Sequence, residues 1–236
     1  MNQLVFYWSG ENVEIPSILV KSVLISNEGL KIIQVTDKKT NKIKGVNEVI
    51  RVDNSDSIIM DRMKGWSLIN TKNNQTLFID ADTIFLKKID FTKFQRGNYL
   101  YKRTTSQMFN SKYETLYPEL ANKETKDTMP FLGGIVLIID EDNFFKELKT
   151  LSQNLNPNLQ KWFGDQYLLK NIYEKKHKFF NLIDENFINV VEVDKNSKKI
   201  NLNLSKLNTA ITFKGSSKKY MEFVFNEMLK NNFYKV

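Results

Sequence analysis

The chain of 236 residues has no cysteine and a single histidine, His177. Without thiols there is no disulfide framework, no thiolate nucleophile and no cysteine-based zinc site, and one imidazole excludes a histidine-rich metal site. The lack of cysteine fits a reducing cytosol. Proline and glycine are also sparse, at four and nine residues, while 41% of the chain is hydrophobic and 26% charged. That balance excludes collagen-like and generally disordered chains and supports a sizeable core. Apolar runs such as 135–139 (IVLII) fall far short of the roughly 20 residues a membrane-spanning helix needs. The first ten residues lack the basic segment and long apolar stretch of a secretory signal, so the expected location is cytoplasmic.

What the chain has in excess is positive charge: 35 Lys and Arg against 27 Asp and Glu, a net +8. From Lys170 onward there are 13 Lys and 7 Asp or Glu, so this last part carries +6 of the +8. Two readings stand: a solvated lysine-rich face, or an anionic partner such as nucleotide phosphates, lipid headgroups or nucleic acid. No RRM, KH or helix-turn-helix signature is present, which argues against nucleic acid. No internal repeat or Gly/Ser/Pro-rich linker interrupts the chain, and residues 1–236 read as one domain.

Periodicity alternates between strand and helix. Residues 4–8 (LVFYW) read as a buried strand, a helix follows to about Ser26 with Pro16 in its first turn, and 30–35 (LKIIQV) make a second strand ending at Thr36 and Asp37. Ile58, Ile59, Met63, Trp66 and Ile69 recur at helical spacing, which predicts an amphipathic helix over 56–69. Next comes 76–79 (TLFI), apolar on both faces as in the middle of a parallel sheet. A polar stretch over about 104–128 reads as mobile and precedes a second apolar strand, 134–139. Helices are expected after Asp140 through Leu151 and over 164–176. Short strands are expected at 179–182, 188–193 and 210–213, and a terminal helix at about 219–231. The class is α/β, with a mostly parallel central sheet flanked by helices. Such sheets bind ligands beyond the carboxyl ends of their strands.

At the end of the most buried strand stands Asp80-Ala81-Asp82 (LFIDADTIFL). Alternate residues of an extended segment point the same way, so two carboxylates two apart can grip one hard cation, Mg²⁺ or Mn²⁺, that shares its other sites with phosphate oxygens. The bland alternative is a strand-ending turn with Asp82 as a cap. A second such pattern, Asp140-Glu141-Asp142, also follows an apolar strand but leads directly into a helix, and reads as N-cap and first-turn acid.

Further segments lie around the first pattern: Asp61-Arg62-Met63, FLGGIVLI over 131–138, Gly164-Asp165-Gln166, and Thr212-Phe213-Lys214-Gly215-Ser216-Ser217-Lys218-Lys219-Tyr220. In order and spacing, from Leu4 to about Tyr220, the chain resembles the retaining GT-A glycosyltransferases, in particular glycosyltransferase family 8, the glycogenin and bacterial lipopolysaccharide galactosyl- and glucosyltransferase type. The resemblance implies a Rossmann-like GT-A domain that transfers a sugar, with retention, from a nucleoside diphosphate sugar, UDP-linked, to a glycan or lipid-linked glycan. It implies that Asp80 and Asp82 hold Mn²⁺ or Mg²⁺. It assigns Asp165 to donor or acceptor hydroxyls and Gln166 to the neighbourhood of the anomeric carbon. Tyr7 and Asp37 fall where the base and ribose are bound, Tyr7 offering a stacking face.

The chemistry calls for such residues. Breaking the bond from the anomeric carbon to a diphosphate oxygen loads charge onto the leaving group, which a metal and fixed cations stabilise. Arg62 and Lys218 are the candidate cations, and Gly215 would let the backbone approach the phosphates. By themselves Arg62 also reads as a helix residue with its head in water, Lys218 as one lysine among many, and Asp165 as a capping acid.

Two departures from the family pattern matter. The histidine expected as third metal ligand is Thr212, a much poorer ligand, and the Asn-Ala-Gly strand start is Leu132-Gly133-Gly134. Loss of the histidine leaves a second function open, a catalytically degenerate binder of sugar nucleotide or glycan. A nucleotidyltransferase is disfavoured because Ser9-Gly10-Glu11-Asn12 has one glycine and no cation. At the end of the chain Tyr220, Met221, Val224, Phe225, Met228 and Leu229 recur at helical spacing, with Lys218, Lys219, Lys230 and Lys235 around them. This stripe either docks on the domain or makes a peripheral contact with an anionic membrane.

Overall fold

The computed structural model describes all residues except 56, 105–119, 121, 142, 162, 185, 192–207, 232, 235 and 236. Most of the expected mobile stretch, the acid at Asp142, the last two residues of the strand expected at 188–193, and Lys235 lie outside the described residues. Ten strands are described: β1 (Asn2–Tyr7), β2 (Lys31–Thr36), β3 (Glu48–Arg51), β4 (Gln75–Asp80), β5 (Thr83–Phe85), β6 (Gly97–Lys102), β7 (Phe131–Ile139), β8 (Phe180–Ile183), β9 (Ile188–Val191) and β10 (Ala210–Phe213). The helices are α1 (Glu14–Ser26), α2 (Ile58–Trp66), the single turn α3 (Thr125–Thr128), α4 (Phe144–Ser152), α5 (Pro157–Lys161), α6 (Gly164–Lys176) and α7 (Met221–Lys230).

Seven strands form one sheet in the order β3-β2-β1-β4-β7-β6-β8, and β5-β10-β9 form a second. The large sheet is parallel except at β7, which runs antiparallel to both β4 and β6. Successive side chains of a strand face opposite ways, so each strand feeds two cores. Leu4 and Phe6 join Leu19, Val20 and Val23 of α1 on one face. Val5, Tyr7 and Phe78 join Ile59, Met63 and Trp66 of α2, with Phe144, Phe145 and Leu148 of α4 and Leu168, Leu169 and Ile172 of α6, on the other.

Helix α2 starts where Ser57 caps it, accepting from the Met60 amide, and lies close on β2 at Gly65. A Cβ there would sit 2.1 Å from Val35 Cγ1. Gly65→Ala must push a buried β-branched side chain and, by overpacking, is expected to cost about 1–3 kcal/mol of stability in urea unfolding. A melting curve equal to that of the unaltered chain would show that α2 can retreat from β2.

One sequence expectation is corrected. The helix expected directly after Asp140 begins at Phe144. Asp140 instead has a left-handed backbone (φ 52°) and accepts from the Asn73 amide at 2.7 Å, so it closes the end of β7 against the β4 side of the sheet. At the chain end, Met221, Val224, Phe225 and Met228 of α7 are buried against the small sheet, with Ile84, Ile211 and Phe213. The docking alternative thus describes the stripe, and Phe223 and Leu229 are the large apolar side chains left exposed on that helix.

Candidate active site

Asp80 ends β4 at the crevice where strand order reverses: β1 has β2 on one side and β4 on the other, and Tyr7 at its end lies in register with Asp80. Connections to the two sides diverge at such a point and leave a cleft beyond the carboxyl ends of the strands. By alternation Asp80 shares the face of Phe78, the face covered by α2 and α6. Arg62 on α2 and Asp165 in the first turn of α6 meet it there.

Arg62 Nη1 donates to Asp80 Oδ1 at 2.7 Å and Nη2 donates to Asp165 Oδ2, so one guanidinium ties two carboxylates from different elements. Its plane lies over Trp66, 5.0 Å from the ring centroid. Burial works against the charge, but Asp165 and Asp80 outweigh it and raise the Arg62 pKa. A planar fork with fixed donors suits this bridge as a lysine would not. Both terminal nitrogens are engaged by carboxylates, so Arg62 here orders the acids rather than presenting an open cation.

The two glycines of Leu132-Gly133-Gly134 make room for those acids. A Cβ on Gly133 would sit 1.6 Å from Asp165 Oδ2, and one on Gly134 would sit 1.9 Å from Asp80 Cγ. The departure from Asn-Ala-Gly thus has a local reason in this chain: the space of a side chain at 133 is taken by a carboxylate.

On the far side of Asp80 the small sheet delivers lysines. Strand β10 pairs antiparallel with β5, Thr212 opposite Thr83. This pairing carries the segment after β10 back over the Asp80-Ala81-Asp82 turn. Lys214 Nζ donates to Asp80 Oδ2 and, at 2.8 Å, to Asp82 Oδ1; Lys218 Nζ lies 2.9 Å from Asp82 Oδ2. The Asp80 carboxyl is buried, which alone would raise its pKa, yet Lys214 and Arg62 hold it well below the usual range. Lys214 is raised in turn, Asp80 and Asp82 overcoming the effect of burial. Thr212, where the sequence resemblance led to the expectation of a histidine, is fully buried with its hydroxyl 3.2 Å from Asp82 Oδ1. Gly215 has a left-handed backbone (φ 55°) and open space where a Cβ would stand.

Gln166 follows Asp165 on α6, and its Oε1 accepts from Arg103 Nη2 just beyond β6. Burial lowers the Arg103 pKa. The two remaining expected residues have no described hydrogen bond to this cluster. Tyr7 is 7% exposed and its ring is part of the core under α2, where burial raises its pKa. Asp37, just past β2, accepts from the amides of Lys39 and Thr40 at 2.7 and 2.6 Å. Burial alone would raise its pKa, but bonds from Thr40, Lys39 and Asn54 bring it down. As described, Asp37 holds its own turn together.

Sequence reasoning passed over Lys214 and Arg103 as site residues. A signal for Arg103 existed: the chain has four Arg against 31 Lys, and Arg62 and Arg103 are the two that reach this cluster. Where lysine serves nearly everywhere, an arginine marks a place that needs a planar fork.

The donor set does not fit a resident Mg²⁺ or Mn²⁺. Asp80 Oδ1 is bonded to Arg62, Asp80 Oδ2 and Asp82 Oδ1 to Lys214, and Asp82 Oδ2 to Lys218. Each oxygen expected to face a metal ion faces a fixed cation. Among the described residues no group of three His, Cys, Asp or Glu side chains is placed to hold a metal.

No family model and no curated protein matches the chain, but solved structures do. The glycosyltransferase GlyE of Streptococcus pneumoniae TIGR4 matches with a TM-score of 0.54 at 15% identity, over 98% of this chain and 64% of GlyE. The galactosyltransferase LgtC, in complex with donor and acceptor sugar analogs, matches with a TM-score of 0.54 at 11% identity, over 95% of each chain. The bifunctional glycosyltransferase WbbM matches with a TM-score of 0.57 at 13% identity, over 99% of this chain and 51% of WbbM. The chain thus spans less than two thirds of GlyE and about half of WbbM. Identities this low speak for fold, and the chain has the GT-A fold of these glycosyltransferases.

Proposed function

We propose that this chain is a glycosyltransferase that moves a sugar from a nucleoside diphosphate sugar, UDP-linked, to a glycan or lipid-linked glycan with retention at the anomeric carbon. The observation that carries the reading is the bridge of Arg62 between Asp80 and Asp165 at the switch point of the sheet, with Lys218 on the open side. In the reaction the bond from the anomeric carbon to the diphosphate oxygen breaks and its electron pair leaves with the diphosphate. The acceptor hydroxyl oxygen bonds to that carbon and gives its proton to the departing diphosphate oxygen. Lys218 and the backbone at Gly215 receive the diphosphate charge, Asp165 orients sugar hydroxyls, and Gln166, steadied by Arg103, stands beside the reacting carbon. Residues 1–236 act as one domain in this reading. The Mn²⁺ or Mg²⁺ of the sequence reading is given no step, because Lys214 stands between its two carboxylates.

LgtC was solved with donor and acceptor sugar analogs, which supports a donor and an acceptor side here too. No described helix is long and apolar enough to cross a membrane. A peripheral membrane contact, if a lipid-linked acceptor requires one, falls to Phe223 and Leu229 beside Lys219 and Lys230.

The test is UDP release from a panel of UDP-sugars, followed by chromatography of products with oligosaccharide acceptors. Release is expected, and Asp165→Asn is expected to lower it about 100-fold through misplacement of the sugar. UDP binding without release or transfer from any donor would instead favour the degenerate binder.

A further inference from the structure

The four carboxylate oxygens of Asp80 and Asp82 are all taken by Arg62, Lys214 and Lys218. Of the three cations, Lys214 alone touches both aspartates. Its position is set by strand register rather than by a drifting side chain. Phe213, fully buried, donates its amide to the Asp82 carbonyl at 2.8 Å. The Lys214 carbonyl accepts from the Ser217 amide and hydroxyl at 3.1 and 2.9 Å. The backbone on either side of the lysine is therefore tied down, and the side chain extends from there across the pair.

We infer that the Lys214 ammonium is this chain's built-in substitute for a divalent ion, so that the diphosphate of the donor is held without metal. The inference rests on the reading of this cluster as a sugar-nucleotide site. An ammonium has three donors; Asp80 and Asp82 take two, which leaves the third for a phosphate oxygen. Lys214 is 32% exposed, so that third donor has a path to the cleft. Charge agrees: the carboxylates of Asp80, Asp82 and Asp165 already face Arg62, Lys214 and Lys218, with Arg103 a further cation beside Asp165. A divalent ion entering here would have to displace an ammonium from two carboxylates while meeting the repulsion of two further cations. Mg²⁺, which demands near-octahedral oxygen ligands, would find no oxygen of Asp80 or Asp82 unoccupied. Thr212 fits the same account. Once a lysine occupies the pair, the imidazole ligand has nothing to coordinate, and a small hydroxyl that bonds Asp82 suffices.

The experiment is calorimetric and thermal-shift titration of the full chain, freed of metal, with UDP in chelator, with UDP and Mn²⁺, and with Mn²⁺ alone. For the unaltered chain, UDP affinity is expected to agree within about threefold with and without Mn²⁺, and Mn²⁺ alone should leave the melting temperature unmoved. Lys214→Ala is expected to bind UDP about 10- to 100-fold more weakly in chelator, the worth of one charge-assisted contact. Mn²⁺ should recover that binding by entering the vacated pair, and should raise the melting temperature of this variant. Two results overturn the inference even if Lys214→Ala fails to fold: UDP binding by the unaltered chain that requires Mn²⁺, or Mn²⁺ binding by the unaltered chain that Asp82→Asn abolishes. In the variant, UDP affinity in chelator equal to that of the unaltered chain overturns it too. If no nucleoside diphosphate binds under any condition, the sugar-nucleotide reading fails. The Mn²⁺ titrations of the unaltered chain and of Lys214→Ala then still decide whether Lys214 holds the place of an ion.

Discussion

Arg62→Ala is expected to lower folding stability by about 3–5 kcal/mol, because it removes the shared partner of two largely buried carboxylates. Asp165 is 7% exposed at its side chain and Asp80 23%, so little water is at hand to replace the guanidinium. Against a total of about 5–15 kcal/mol for a typical domain, that loss shows plainly in urea unfolding. Transfer should fall further than the folded fraction explains, by about 100-fold, since Asp80 and Asp165 would repel each other out of position. Arg62→Lys keeps the charge but offers no fork and should recover only part of either quantity. The coupling can be isolated with Asp165→Asn: in the double variant the carboxylate that Arg62 neutralised is itself gone, so the two stability losses should not add. Additive losses, or an Arg62→Ala variant with undiminished stability, would mean that the bridge carries no weight.

Much of the sheet was legible because its central strands are buried on both faces. Residues 4–8, 30–35 and 76–79 read as strands and match β1, β2 and β4 to within a residue or two, as apolar runs in that setting must. Helix α6 begins at the expected Gly164. Strands β3 (EVIR) and β6 (GNYLYK) went unread: β3 is a half-buried edge strand with charged ends, and β6 opens on a glycine and carries only three consecutive apolar residues. The reversed direction of β7 was equally invisible, since an apolar run carries no sign of its direction. Read alone, FLGGIVLII describes a buried strand in either sense.

The site divides along the same line. Asp80, Asp82, Arg62, Asp165 and Lys218 lie in one cluster of ion pairs, which loose motifs in the right order had brought together. What the motifs did not contain was the partner of each acid. That Lys214 reaches both Asp80 and Asp82 follows from the pairing of β10 with β5, a contact between residues some 130 positions apart. Local sequence holds no trace of it. Asp37 shows the reverse, a residue at a suggestive strand end whose carboxylate bonds its own turn, while Tyr7 packs its ring into the core.

The glycine pair on β7 gives the second large effect. Gly134→Ala places a methyl 1.9 Å from Asp80 Cγ, and Gly133→Ala places one 1.6 Å from Asp165 Oδ2. Neither carboxylate can step aside freely, because each is held in the fork of Arg62. At 133 the Asp165 carboxylate must rotate out of the fork. At 134 the added methyl wedges β7 against the end of β4, where pairing ends at Ile79 opposite Ile135. Overpacking of this kind costs about 1–3 kcal/mol, so both variants should fold, with lowered midpoints in urea. Their catalytic loss should be larger, about 100-fold in kcat/KM, because the displaced atoms are the acids on which the donor site depends. The contrast with Gly65→Ala is the informative one. That change also inserts a methyl into occupied space, 2.1 Å from Val35 Cγ1, but against valine side chains of the core and not against a carboxylate, so its stability should fall while kcat/KM of the folded fraction stays near that of the unaltered chain. If Gly133→Ala and Gly134→Ala behave as Gly65→Ala does, losing stability but keeping transfer, then the carboxylates they crowd are structural, and the reacting sugar lies elsewhere in the crevice.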